Sequence, residues 1–160
     1  MAGAKTTMIY ANSLDCDAIL AYRMNLESGA LTPVGDPVEL SMPWAMAITP
    51  SRRFLYVVSH IDHSLCSIAI DPEDGSLKPL DTMPLPVKLN LLDPSYIHID
   101  PTGRYLLTCD YWTDKIGSWA IAEDGRLEPC TPLPTVTTAA ESGSSLPSSA
   151  MAQLPILSVQ

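Results

Sequence analysis

Two side chains stand out for the chemistry their positions would allow, His98 and Asp110. The run Tyr96-Ile97-His98-Ile99-Asp100 alternates apolar and polar residues. As a strand it puts Tyr96, His98 and Asp100 on one side and the two isoleucines on the other. An imidazole with an ordinary pKa near 6.5 can take a proton from water close to neutrality, which makes His98 a candidate general base. The same position suits a half-buried histidine hydrogen-bonded to a neighbouring sheet. Asp110 opens Asp110-Tyr111-Trp112 one element later. It could orient a histidine or cap its loop, as short acidic side chains do. Tyr96, Tyr111 and Trp44 are candidate substrate-binding aromatics, with core packing the competing role for Trp44.

Other combinations point to less. His60, Asp62 and His63 share a short segment, but no third imidazole or thiol accompanies them, so they read as solvated loop residues and no metal site is expected. The cysteines Cys16, Cys66, Cys109 and Cys130 form no C-x-x-C, and reduced, mostly buried thiols are expected. No G-x-S-x-G, P-loop or G-x-G-x-x-G occurs. Arg52, Arg53 and Arg104 fall in turns and read as structural or surface residues. The formal net charge of −9 over 160 residues argues against nucleic acid and anionic membranes as partners. No run approaches ~20 apolar residues, the length a membrane-spanning helix needs. The first seven residues lack the apolar stretch of a secretory signal, so the cytoplasm is the expected compartment.

The elements that must position these residues come as a repeat. Met8-Ile9-Tyr10-Ala11-Asn12-Ser13 aligns with Phe54-Leu55-Tyr56-Val57-Val58-Ser59 and with Tyr105-Leu106-Leu107-Thr108-Cys109-Asp110, at offsets of 46 and 51. A second apolar run follows each (19–24, 65–70, 116–121), then a glycine turn: Ser28-Gly29-Ala30-Leu31, Asp74-Gly75-Ser76-Leu77 and Asp124-Gly125-Arg126-Leu127. A further run ends in Thr49-Pro50-Ser51-Arg52-Arg53 and Asp100-Pro101-Thr102-Gly103-Arg104. Short runs of Val, Ile, Leu and Tyr bounded by Pro, Gly and Asp are strand signals. Four short strands recurring at this period predict an all-β chain, an incomplete β-propeller of two to three four-stranded blades. A β-sandwich fits any one copy, but not three aligned copies of one turn chemistry.

The ordered text "MPWAMAITPSRRFLYVVS", "DPEDGSLKPL" and "IDPTGRYLL" resembles the seven-bladed β-propeller lactonase family, which includes bacterial-type 6-phosphogluconolactonases and fungal carboxymuconate cyclases. The resemblance runs from Met8 to Pro134, after a lead-in of residues 1–7. It implies hydrolysis of a sugar lactone by water, without metal or organic cofactor, or alternatively a lactonizing cyclase. Tyr111 falls where the family commonly carries an aromatic, and Asp110 replaces a small or amide residue. Seven such blades need more than twice this length, so the chain is expected to supply only the N-terminal part of a ring.

Residues 135–160 depart from the pattern. They are rich in Ser, Ala and Pro, carry one charged residue, Glu141, and are expected to be a disordered tail that never belonged to a blade. The competing functional expectation follows: a truncated, non-catalytic propeller or interaction scaffold, prone to self-association through unpaired blade edges.

Overall fold

A computed structural model describes residues 5–85, 94–110 and 116–130. Within them the β-branched and aromatic runs form twelve strands and no helix. The first sheet holds β1 (Thr6–Ser13), β2 (Ala18–Asn25), β3 (Leu31–Pro33) and β4 (Val38–Glu39), the last two both paired with β2. The second holds β5 (Pro43–Ile48), β6 (Phe54–Ser59), β7 (Ser64–Ile70) and β8 (Leu77–Pro84) in sequential order. The third repeats that order with β9 (Pro94–Ile99), β10 (Tyr105–Asp110), β11 (Ile116–Ile121) and β12 (Leu127–Pro129). Every pairing is antiparallel, and each sheet is one propeller blade.

The repeat also shows what the first blade lacks. β1 aligns with β6 and β10, which each pair with an inner strand, β5 and β9. β1 pairs with β2 alone among the described residues, so no described strand occupies its inner edge. β1 begins at Thr6, two residues ahead of the expected Met8.

Alternation along the strands divides the core into two layers. Ile19, Val38, Leu55, Val57, Cys66 and Ile68 fill the space between the first and second blades, joined by the half-buried Tyr10 and Met46. Phe54, Tyr56, Val58, Leu65, Ile99, Leu106 and Trp119 fill the space between the second and third. β6 is buried along its whole length because both of its faces meet a neighbouring blade. At ~25 cal/mol per Å² of apolar area removed from water, these two layers are the main favourable term in the fold.

The same contact is built into both blade junctions. The Tyr10 hydroxyl donates to the Gly75 carbonyl (3.0 Å), and the Tyr56 hydroxyl donates to the Gly125 carbonyl (2.9 Å). Burial pushes both phenols above their ordinary range, and the Asp74 and Asp124 carboxylates add to the effect, so both remain protonated donors. The acceptor must be glycine for two reasons. Its φ is +81° at Gly75 and +88° at Gly125, and a Cβ there would lie 2.6 Å from Met8 Cε and 2.4 Å from the Phe54 ring. At the position matching Tyr10 and Tyr56, the third blade carries Leu107, which has no hydroxyl to give.

Candidate functional site

The turns and links at one end of the blades form a cleft of about 440 Å³. It lies between the first and second blades. Cys16 and Asp17 line it from the β1–β2 turn, Glu39 from the end of β4, Leu40 and Ser41 from the link between the blades, Asp62 from the β6–β7 turn, and Cys66 and Thr82 from the second sheet. This is the end at which the link into β5 meets the β6–β7 turn.

Hydrogen bonds hold the rim in place. The Met42 amide donates to Asp17 Oδ1 (2.9 Å), and the Leu40 amide to the Asp17 carbonyl (2.8 Å). The Ser59 hydroxyl lies 2.7 Å from the Ser41 carbonyl and 3.0 Å from Asp62 Oδ2. Four described residues other than glycine have positive φ, and three of them, Asp17 (48°), Met42 (51°) and His63 (46°), lie at this end. Such left-handed backbone is costly for residues with a Cβ and gathers at functional sites.

Among the described residues three carboxylates, Asp17, Glu39 and Asp62, line the cleft, and no Lys, Arg or His does. The cysteines in it differ. Cys16 is exposed, while Cys66 is buried; burial raises the Cys66 thiol, with the Thr82 and Ser64 hydroxyls pulling the other way. The thiols were expected to be mostly buried, but Cys16 and Cys109 are exposed and Cys130 is intermediate. Those three sit on a turn, on the outward face of the third blade and just past β12, where no second sheet covers them.

The sequence-predicted site residues are not brought together in this cleft. Trp44 is 46 % exposed on β5, and its ring centroid is 6.0 Å from that of His60. Asn12 clips the strand beside it, its Nδ2 lying 2.9 Å from the Trp44 carbonyl and 3.1 Å from that of Pro43. Tyr96 (67 % exposed) and His98 lie on β9, with His98 opposite Leu107. Ile97 and Ile99 turn toward the second blade, so His98 is on the face turned away from it. Asp110 closes β10 opposite Pro94, after a shift in register. Tyr111 lies outside the described residues, as do residues 131–160.

That shift recurs. Pro43 pairs with Ser59 and Pro94 with Asp110, and each inner strand then carries an extra residue at the end that bears the cleft. Bulges of this kind re-aim side chains near sites. Asp62 accepts from Ser59, and the Met42 carbonyl accepts from the His60 amide (3.1 Å). Among the described residues no three His, Cys, Asp or Glu side chains come together as ligands for a cation. At the opposite end Arg53 stacks on Phe54 (5.1 Å) and Arg104 on Tyr105 (5.9 Å), each covering the edge of a blade.

Comparison with known proteins settles the family. The sequence pattern of the family described as "Lactonase, 7-bladed beta-propeller" matches residues 6–145. The chain belongs to that family. The match reaches eleven residues past Pro134, where the resemblance was expected to stop. A 6-phosphogluconolactonase of Enterobacter sp. (strain 638) is 30% identical over 128 residues, which are 80% of this chain and 35% of that protein. The 6-phosphogluconolactonase of Erwinia tasmaniensis is 30% identical over 118 residues, 74% of this chain and 34% of its own. This lactonase-family chain thus spans about a third of the length of the curated relatives it matches. The periplasmic gluconolactonase of Pseudomonas aeruginosa shares the fold, with a TM-score of 0.67 at 18% identity over 82% of this chain and 39% of that one. A periplasmic protein with this fold means the fold does not fix the compartment. Among the described residues no helix is long and apolar enough to cross a membrane.

Sequence reasoning missed the cleft because its residues come from five separate places in the chain with no shared motif. One signal was present: Asp17, Ser41 and Asp62 all sit at strand ends of one polarity in the repeat.

Proposed function

We propose that these blades form part of a ring that opens sugar lactones of the 6-phosphogluconolactone type by adding water to the ring carbonyl. The observation that carries this reading is the family match over residues 6–145, with two relatives of that activity at 30% identity. In the proposed reaction, water adds to the carbonyl carbon and loses a proton to a base. The carbonyl electrons gather on oxygen, where hydrogen-bond donors stabilise them; they then re-form the carbonyl as its bond to the ring oxygen breaks, and that oxygen takes the proton held by the base and leaves as a hydroxyl. His98 is the proposed base and Asp110 its orienting partner; Tyr96, Tyr111 and Trp44 are the proposed substrate contacts. No metal or organic cofactor is part of the proposal. The bulge at the start of each inner strand and the left-handed residues around the cleft support placing substrate at this end.

A second reading has its own observation. The cleft is lined by carboxylates without a cation, which opposes a phosphorylated sugar. Lys88 and Lys115 lie outside the described residues. In this reading the 160 residues alone do not turn over substrate.

A lactonase assay on fresh 6-phosphogluconolactone, corrected for spontaneous hydrolysis, separates the two. The 160-residue chain alone is expected to stay at the spontaneous rate, and a ring completed with the remaining blades of a relative to exceed it. In that ring His98→Ala should lower turnover about 10²–10⁴-fold with an unchanged melting temperature. A completed ring without turnover removes the lactonase assignment. Robust turnover by monomeric 1–160 removes the second reading, and full activity in the His98→Ala ring takes His98 out of the site.

A further inference from the structure

One contact between the first and second blades has no counterpart in the repeat. Tyr10 and Asn12 stand two apart on β1 and face the second blade together. Tyr10 makes the contact that recurs at Tyr56. Asn12 makes another: its Nδ2 lies 3.1 Å from the Pro43 carbonyl and 2.9 Å from the Trp44 carbonyl. A side-chain amide nitrogen carries two hydrogens, so one group supplies both carbonyls. The residues matching Asn12 in the later blades are Val58 and Cys109, and the residue matching Trp44 is Ser95. The amide and the indole therefore come as a pair, and stacking of blades does not require them, since the next junction forms without either.

The amide acts on the bulge that opens β5. Pro43 pairs with Ser59 and Met46 with Val57, so Trp44 and Ala45 both stand opposite Val58. Just before it, the left-handed Met42 (φ 51°) donates its amide to Asp17 Oδ1 (2.9 Å), and its carbonyl accepts from the His60 amide (3.1 Å). Met42, Pro43 and Trp44 are thus tied through their backbones, while the Trp44 side chain stays 46 % exposed. An aromatic ring held this firmly and left nearly half in water is presented rather than buried. The His60 ring lies beside it, 6.0 Å away between centroids and tilted by 41°. In the repeat His60 stands where Tyr111, a proposed substrate contact, stands one blade later.

We propose that Trp44 and His60 form a binding platform for the uncharged ring of a sugar lactone, with Asn12 as its positioning residue. The indole takes the C–H face of the sugar, and a nitrogen of the imidazole meets one of its hydroxyls. Leu40 and Ser41, at the start of the same link, line the cleft, so the platform adjoins it. An apolar surface with a few fixed polar groups is the usual make-up of a small-molecule site. The platform presupposes that the ring accepts a sugar lactone, and adds His60 and Asn12 to its contacts.

Ligand-observed NMR on the purified 160-residue chain tests it, with glucono-δ-lactam, the amide analogue that water does not open, as probe. Saturation should pass from the protein to the ring protons of the sugar. Trp44→Ala should abolish the transfer and Trp44→Phe keep part of it. His60→Ala and Asn12→Asp should each weaken binding by up to about tenfold, the worth of one aromatic stack. Aspartate keeps the shape of Asn12 but has no N–H to give either carbonyl. Should Asn12→Asp fail to fold, Asn12→Ala removes the donor without adding charge. Tyr56→Phe, which loosens the other junction, should bind like the wild type, so lost stability is told apart from lost positioning. A wild type without transfer overturns the proposal. So does unchanged binding in Trp44→Ala or in the Asn12 variant, or an equal loss in Tyr56→Phe. In the completed ring the Asn12 variant should raise KM with kcat unchanged. Turnover whose KM ignores Asn12 keeps the lactonase and removes the platform; lactam binding that depends on Trp44 and Asn12 in a ring without turnover does the reverse.

Discussion

Asp100 organises the turn that reverses the chain between β9 and β10. Its carboxylate accepts from the Thr102 hydroxyl and from the amides of Tyr105 (2.8 Å), Arg104 (2.9 Å) and Thr102 (3.0 Å). These donors, the Thr102 hydroxyl first, hold its pKa at about 2. An unfolded aspartate titrates near 3.9, so the folded value is depressed. The resulting stability is fully present above about pH 4 and is lost as pH falls through about 2. The group is close to solvent, so the effect is small. Asp100→Asn should flatten the fall in melting temperature between roughly pH 4 and 2 by a few degrees at most, measured by thermal unfolding at a series of pH values. An identical pH profile for the variant would show that these bonds contribute nothing. The sequence already announced this turn, through Asp-Pro-Thr-Gly, because turn chemistry is local. It assigned Asp100 to the side of Tyr96 and His98 without seeing that the turn consumes its carboxylate.

Between elements, the hydroxyl from one blade to the turn glycine of the next fixes how far the blades slide past each other. Tyr56 is fully buried and Tyr10 half-buried, so the two should not weigh equally. Tyr56→Phe leaves the Gly125 carbonyl without its phenol partner and is expected to cost about 1–2 kcal/mol in urea unfolding. Tyr10→Phe, nearer solvent, should cost less than about 1 kcal/mol. Equal losses, or none at Tyr56, would remove the latch from the account of the junction. Strand positions were legible almost to the residue, since alternation and bounding Pro, Gly and Asp are properties of the strand itself. The pairing of Tyr10 with Gly75 was not, although both tyrosines stand third in their aligned runs. Contacts between blades join residues 65 and 69 positions apart, and nothing in either segment names its partner. That no described strand sits at the inner edge of β1 was invisible for a related reason: a repeat shows which position is unfilled only after the strands are paired.

For the molecule as a whole, the propeller was legible because three copies of one turn series admit few other folds. The candidate site was legible only as an end of the sheets, not as a set of residues. His98, Tyr96 and Trp44 are separated by strand positions and faces that periodicity alone does not resolve into one place. The cleft depends on three connections meeting beside two strands of the second sheet, which is a property of the stacking. The absence of a phenol at Leu107 has a thermal consequence. The two blade junctions combine apolar burial with a phenol hydrogen bond, part-buried at Tyr10 and buried at Tyr56, whereas whatever rests on the third blade is held without the phenol bond. Apolar association weakens on cooling, because its driving force near room temperature is entropic. In a completed ring the joint on the third blade should therefore loosen first in the cold while the first two junctions hold together, and Leu107→Tyr should blunt that loosening. Hydrogen exchange of the third blade in a completed ring, just above freezing and at room temperature, reads both; a joint that tightens on cooling would mean polar contacts dominate that face. A chain of nearly identical blades would in this way carry one cold-sensitive joint, set by a single missing oxygen.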